Sequence, residues 1–246
     1  MGGIVDHAVI GDVTLYLGDM REVLPELGRM RADCVVSDPP YPLTSGGNAT
    51  EVMGGLFSQD VYDNSGDLMP SVPWHHMGGP IFRACADDAD CYIMANDKNV
   101  WAAHAAFTGA GFAFHNLLVW DKIRATRNRW YMKNCEFTLY LFKGLAAPQG
   151  IADCGSKQLF TLNAARTSGH KTEKPVALMQ HYIANSCPPG GLVLDPFAGS
   201  GSTLLAAAAL GRRAVGIELE RKWFDVACAR LESALCVGAE LGYGSV

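Results

Sequence analysis

The stretch from Gly191 to Glu218 constrains the fold more than any other part of the chain. Gly191-Leu-Val-Leu-Asp195 is a short apolar run ending on an acid, and Pro196-Phe-Ala-Gly-Ser-Gly-Ser-Thr203 is a glycine-rich turn. Leu204 to Leu210 is alanine-rich and helical in composition, and Arg213-Ala-Val-Gly-Ile217 is a second strand-like run closed by Glu218. Strand, tight turn, helix and strand together form the βαβ unit that cradles nucleoside ligands. Gly199 and Gly201 carry no Cβ, so the backbone of the turn can approach a ligand closely. Glu218 lies 19 residues beyond Gly199 and is placed to accept hydrogen bonds from ribose hydroxyls.

Short β-rich runs alternate with helical stretches along most of the chain, which predicts an α/β fold with a mostly parallel sheet. Val13–Leu17 reads as a first strand ending at Gly18-Asp19, and Met20 to about Gly28 as a helix with Val23, Leu24 and Leu27 on one face. Asp33–Ser37 is the next strand. From Pro42 to about Pro73 the composition turns loop-like, and a long irregular stretch inside a compact domain reads as a lid. A helix is expected near Met77–Ala86, a strand at Cys91–Met94 and a helix from about Lys98 to Thr108. Residues 112–120 and 136–143 form a predicted hairpin carrying a basic arm, 144–171 is irregular, and a helix follows to Ser186 with Pro175 at its first position. Residues 1–246 read as one domain, with no internal repeat or linker.

The turn discriminates between ligands. A dinucleotide fingerprint needs a third Gly or Ala three residues after the second glycine, and Leu204 stands there. Asp195 at the mouth of the turn would repel a pyrophosphate. It suits instead a ligand that presents an ammonium and no phosphate, such as S-adenosylmethionine.

A second motif, Asp38-Pro39-Pro40-Tyr41, follows the apolar run Cys34-Val35-Val36. It puts a carboxylate, proline carbonyls and an aromatic ring at one strand end. That set of groups can grip a planar base by its exocyclic amine. Asp38 and the Pro39 carbonyl can accept the two amine N–H groups, Pro40 stiffens the corner, and Tyr41 can stack on the base.

The formal net charge of −5 does not by itself point to a polyanion, but its distribution does. Residues 122–174 hold ten Lys/Arg against three acids, while the remainder of the chain is strongly acidic. Within this stretch Lys122, Arg124, Arg127, Arg129 and Lys133 are interleaved with Trp130 and Tyr131, a composition suited to nucleic-acid phosphates. The eight cysteines form no Cys-x-x-Cys pair, so no metal site is expected and they read as reduced thiols of a cytoplasmic protein. No apolar run approaches the ~18 residues needed to span a bilayer.

The three motifs together, Asp-Pro-Pro-Tyr, then His170-Lys-Thr-Glu-Lys-Pro-Val-Ala-Leu178, then Asp-Pro-Phe-Ala-Gly-Ser-Gly-Ser, resemble the β-class DNA amino-methyltransferases in identity and order. The resemblance covers about residues 12 to 235. It implies a Rossmann-like methyltransferase fold, a mostly parallel seven-stranded sheet with one antiparallel strand and helices on both faces. By position it implies that Gly199, Ser200 and Gly201 wrap the methionine part of S-adenosylmethionine, with Asp195 at its ammonium and Phe197 lining the pocket. Glu218 would hold the ribose, Asp19 would approach the adenine edge, and Thr172 and Lys174 would receive the carboxylate. Asp38 through Tyr41 would be catalytic, acting on a base flipped out of double-stranded DNA. Asp at the first motif position implies adenine N6, where Ser implies cytosine N4; the same chemistry on cytosine or RNA, and a non-catalytic binding module, are the rival readings. The stretch 144–169 is short for target recognition, which a homodimer could complete.

Overall fold

Strand placement follows from which runs can bury both faces. The computed structural model describes residues 3–41, 71–125, 131–144, 150–164, 167–169 and 173–240. In chain order the strands are β1 (Ile4–Ile10), β2 (Val13–Gly18), β3 (Ala32–Ser37), β4 (Cys85–Ala95), β5 (Ala113–Asp121), β6 (Cys135–Phe142), β7 (Leu159–Thr161), β8 (Leu192–Asp195) and β9 (Arg213–Glu218). The helices are α1 (Met20–Glu26), α2 (Gly78–Ala84), α3 (Val100–Gly109), α4 (Val176–Ser186), α5 (Ser202–Ala209) and α6 (Arg221–Glu240), with a 3₁₀ turn at Trp74–His76. All belong to one sheet of order β1-β2-β9-β8-β3-β4-β6-β5-β7.

The seven strands from β2 to β5 reproduce the expected sheet, with β6 its single antiparallel member. Two edge strands extend it. β1 pairs antiparallel with β2 through a tight turn at Gly11-Asp12, and β7 pairs parallel with β5 inside the stretch read as irregular. Neither shows in the sequence for the same reason: an edge strand buries little. Val5, Val9 and Leu159 are all exposed, so the usual alternation of apolar and polar residues is missing.

Side chains on the two sheet faces form separate cores. Cys34 and Val36 point to one face, where Tyr92, Met94, Leu178, Tyr182, Leu204 and Phe224 gather beneath α4, α5 and α6. Val35 points to the other, with Ile81, Ile93, Phe107 and Leu194 beneath α1, α2 and α3. Several helix boundaries differ from expectation. α1 stops at Glu26, and Pro175 is the cap residue of α4, extended at φ −61° and ψ 130°, instead of its first helical residue.

The topology decides where chemistry can occur. From β3 the chain runs outward to β4, and from β8 it runs the opposite way to β9, so the strand order reverses between β3 and β8. At such a switch point the loops leaving the carboxyl ends of the strands diverge and leave a crevice. β2, β3, β8 and β9 all end on that edge, delivering Asp19, Asp38, Asp195 and Glu218 to it. β6 runs the other way, so its first residues reach the same edge: Ala95 pairs with Phe137, the residue next to Glu136.

Gly18 is where β2 turns into the crevice, and a Cβ there would lie 2.2 Å from the Gly3 carbonyl oxygen. That atom is backbone and cannot swing aside. Gly18→Ala is therefore expected to destabilise the fold by about 1–3 kcal/mol, the usual cost of overpacking, seen as a lower urea midpoint with unchanged slope. An unchanged midpoint would show that β1 yields freely.

Candidate active site

The crevice opens into a cleft of about 880 Å³ including its mouth, lined among others by Asp19, Asp38, Lys174, Asp195, Phe197 and Glu218. Its floor is the glycine-rich turn. Gly199 (φ 52°) and Gly201 (φ 84°) are in the left-handed region, which L side chains rarely adopt, and a Cβ on Gly201 would press to 3.0 Å from that of Ala227. The turn is held from β9, since Ala198 N–H donates to the Ile217 carbonyl (2.8 Å) and Gly199 N–H to Glu218 Oε2 (2.8 Å). Glu218 Oε1 accepts from Glu220 N–H (2.8 Å). Each Glu218 oxygen thus has one backbone donor and retains a lone pair. Burial raises the Glu218 carboxyl above its usual range against those two bonds.

Asp195 is the most constrained acid. It is buried, and its Oδ1 accepts from Ser37 Oγ across the switch point (2.6 Å) and from Phe197 N–H (3.1 Å). Burial dominates, the hydrogen bonds from Ser37, Thr203 and Phe197 oppose it, and the carboxyl is pushed up to about 6. Asp19 is different. It caps α1 and its carboxylate is forked onto the Arg21 guanidinium (2.9 and 3.0 Å to Nε), which holds it below the usual range. It lines the cleft as expected, but its carboxylate is already engaged.

The Asp38 corner faces the same cleft. Pro39 is buried, the Pro40 carbonyl accepts from Val72 N–H (3.3 Å), and Tyr41 stacks against Trp74 with ring centres 5.8 Å apart. Asp38 Oδ2 accepts from Lys174 Nζ, while Oδ1 is buried with no hydrogen-bond partner among the described residues. A buried carboxylate oxygen left without a donor is costly, and the ligand side is where a donor can come from. Burial and the nearby Glu136 raise the Asp38 carboxyl, with Lys174 opposing them.

Lys174 departs from the sequence expectation. Instead of presenting its ammonium to a ligand carboxylate, it is buried between Asp38 and Glu136 Oε2 (3.3 Å). A lysine beside a helix start lacks support from the helix dipole, and here two carboxylates of the protein supply it. Both acids drive its pKa upward despite burial. Thr172 lies outside the described residues. Lys122, expected on phosphate, is turned inward to Glu136 Oε1 (3.2 Å), and Lys133 pairs with Asp97 (3.2 Å) on the surface. Arg124 is exposed and Tyr131 is 97% exposed; Arg127, Arg129 and most of the 42–73 stretch lie outside the described residues.

Sequence reasoning missed Ser37, Glu136, Glu173 and Arg230. Glu173, with its side chain 2% exposed, accepts from the backbone and hydroxyl of both Thr167 and Ser168 and from Arg230 Nη2 (2.8 Å). Arg230 Nη1 in turn donates to the Ser200 carbonyl (2.6 Å), tying α6 and the segment before α4 to the glycine-rich turn. The available signal was charge: Glu136 and Glu173 are two of only three acids in the basic stretch 122–174.

A glycine-rich turn and strand-end carboxylates around one cleft suit a nucleoside ligand, and similar proteins are DNA methyltransferases. Residues 152–228 match the N6/N4 methyltransferase family, described as DNA methylase. The chain is 28% identical to the type II methyltransferase M2.DpnII of Streptococcus pneumoniae, over 89% of both proteins. It is 25% identical to the type II methyltransferase M.HinfI of Haemophilus influenzae, over 89% of this chain and 68% of that protein. The crystal structure of an M1.HpyAVI–SAM complex shares the fold, with a TM-score of 0.69 and 23% identity over 89% of this chain and 98% of that one. Along its length the chain is thus similar to type II DNA methyltransferases, and its residues 152–228 match the model of the N6/N4 class.

Asp195 supports a pH-dependent test. Its folded pKa is raised from 3.8 to about 6, so the folded state binds protons more tightly than the unfolded one, and stability falls as pH rises through that interval. Asp195→Asn is expected to be more stable than wild type at pH 7 by up to about 3 kcal/mol, the gain vanishing towards pH ~4. Urea unfolding at the two pH values checks this; equal stability at pH 7 would mean the charge is already compensated.

Proposed function

We propose that this chain transfers a methyl group from S-adenosylmethionine to the N6 amine of an adenine flipped out of double-stranded DNA. The observation that carries this reading is the buried Oδ1 of Asp38, which has no hydrogen-bond partner among the described residues and shares one cleft with the glycine-rich turn, Asp195 and Glu218.

The residues present fit the methyl donor. Asp195 is a buried carboxylate with hydrogen bonds but, among the described residues, no cation beside it, which an α-ammonium would supply. Glu218 keeps lone pairs for ribose hydroxyls, and the left-handed glycines leave backbone uncovered by side chains. Lys174 is committed to Asp38, so donors for the ligand's carboxylate fall to the turn or to Thr172. When bound, the cofactor supplies an electrophilic methyl on a sulfonium.

Asp38 acts on the other reactant. An exocyclic amine is a poor nucleophile because its lone pair is delocalised into the ring. Asp38 Oδ1 accepting one N–H favours the pyramidal form, in which the lone pair points at the methyl carbon. As the new N–C bond forms and the C–S bond breaks, positive charge grows on the nitrogen, and the adjacent carboxylate stabilises it. A preorganised group of this kind is worth roughly 3–4 kcal/mol, and more for a full charge in a dry site. The surplus amine proton then passes to Asp38, whose raised pKa suits it to accept. Tyr41, backed by Trp74, offers a rigid face for the extruded base. Arg124 and the arm beyond it supply positive charge for the phosphates. Adenine is preferred over cytosine because the first motif position is the acid Asp38.

Incubation of DNA with protein and methyl-labelled cofactor, followed by nucleoside mass spectrometry, is expected to place label in N6-methyladenine. Label in N4-methylcytosine would redirect the assignment of the base, and absence of label from any nucleic acid would overturn the enzymatic reading. Asp38→Ala is expected to reduce transfer by a factor of about 10²–10³ while cofactor affinity is retained. Loss of cofactor binding in that variant would place Asp38 on the wrong reactant.

A further inference from the structure

Four charged side chains of alternating sign run inward from the base of the basic arm: Lys122, Glu136, Lys174 and Asp38. Glu136 sits near the middle, with one oxygen on each lysine, 3.2 Å to Lys122 and 3.3 Å to Lys174. It comes from the start of β6, Lys122 directly follows β5, and Lys174 precedes α4, so three separate elements converge on the corner that β3 delivers. No motif in the chain marks Glu136, and the transfer reaction as derived above makes no use of it.

We infer that Glu136 is a positioning residue for methyl transfer: through Lys174 it holds Asp38 with one oxygen tied back and the other presented to the amine. The inference rests on the reading of Asp38 as the amine acceptor. The geometry supplies the reason. Lys174 contacts both carboxylates, so its pull is shared between them. With Glu136 removed, one of the two carboxylates that share Lys174 is gone, and the ammonium would be drawn further onto Asp38, competing with the incoming amine for the same carboxylate. Asp38 would also become a weaker acceptor, because a carboxylate held more closely by an ammonium is less basic. The outer lysine fixes Glu136 from the far side, and the backbone pairing of Trp120 with Glu136 sets its height on the sheet.

The charges around this chain are few enough to assign a direction. Asp38 is faced by Lys174, by Glu136 on β6, by Asp195 on β8 and by the Tyr41 hydroxyl of its own corner. Glu136 is faced by Lys122, Lys174 and Tyr182 of α4. Of these, Glu136 raises the Asp38 carboxyl and Lys174 lowers it, while Asp38 in turn raises Asp195. Glu136→Gln removes one raising charge, so Asp38 should stay ionised to lower pH.

The test is single-turnover methyl transfer to DNA by wild type and by Glu136→Gln across pH, with cofactor binding measured separately by calorimetry. The expected result is a transfer rate lower by at least about tenfold, the equivalent of one unit of pKa, with the acid limb of the rate profile moved to lower pH and cofactor affinity unchanged. A rate and an acid limb equal to wild type would overturn the inference, as would loss of cofactor binding in step with rate, since that would place Glu136 at the other reactant. If Glu136→Gln does not fold, the double variant Glu136→Gln with Lys122→Met removes one charge of each sign, leaves no orphan at Lys122 and carries the same expectation. A wild-type protein that methylates no nucleic acid would remove the underlying reading; an active wild type matched by the variant would remove only the role of Glu136.

Discussion

Like charges gathered at one edge of a sheet are the constraint on which the rest of this site depends. Of the six carboxyl residues that line a single cleft, four (Asp19, Asp38, Asp195 and Glu218) are delivered by strand ends, and each would be expensive to bury alone. The fold compensates each in a different way. Asp19 takes a guanidinium, Asp38 an ammonium, and Glu218 two backbone N–H groups. Asp195 receives only neutral donors, and its carboxyl is raised to about 6 as a result. The acid without a cation among the described residues is the one that the proposed function sets against the ligand ammonium. Asp38, which has a cation, keeps one oxygen without a donor. The two deficits differ in kind, one of charge and one of a hydrogen bond, and they match the two reactants that a methyl transfer must bring together.

Holding those deficits open requires rigidity around them, and the structure supplies it through contacts that skip along the chain. Ser37 at the end of β3 donates to Asp195 at the end of β8, which pins the two lips of the switch point to each other. Glu173, Arg230 and Ser200 join three segments that are far apart in sequence, so the glycine-rich turn is braced from outside as well as from β9. Left-handed glycines make a turn permissive, and the bracing restores a single shape.

How much of this the sequence discloses depends on what each residue does. Runs buried on both faces, such as Val35-Val36 and Leu192–Asp195, are plainly apolar, and the seven central strands are legible from them. Edge strands β1 and β7 are not, because exposed positions carry no hydrophobic pattern. Asp38, Asp195, Gly199 and Glu218 are legible because each ends a strand or makes a turn, and local context fixes their setting. Lys174 was legible as a charge that the helix start beside it disfavours, but its partners lie 38 and 136 positions away and only the fold brings them near. Glu136 has no local signature, since an acid opening a strand looks like any solvated end. Its role is visible only once β6 is known to run against its neighbours.

That reversal of β6 has a further consequence. In a purely parallel sheet every strand would meet the functional edge with its carboxyl end, and the loops leaving those ends would be the sole source of chemistry. An antiparallel strand brings its amino end there, together with the loop that precedes it. Here that loop is the basic arm, so the segment composed for phosphates and the acid that shares Lys174 with Asp38 are consecutive in the chain. Lys122 belongs to both: it roots the arm and bonds Glu136. Three ion pairs therefore link the surface that would meet the DNA backbone to the carboxylate that would meet the base, and Glu136 in their midst is held by its sheet pairing with Trp120. A site built this way has its acid already oriented when the base arrives, so ordering it need not draw on the binding energy that base extrusion requires.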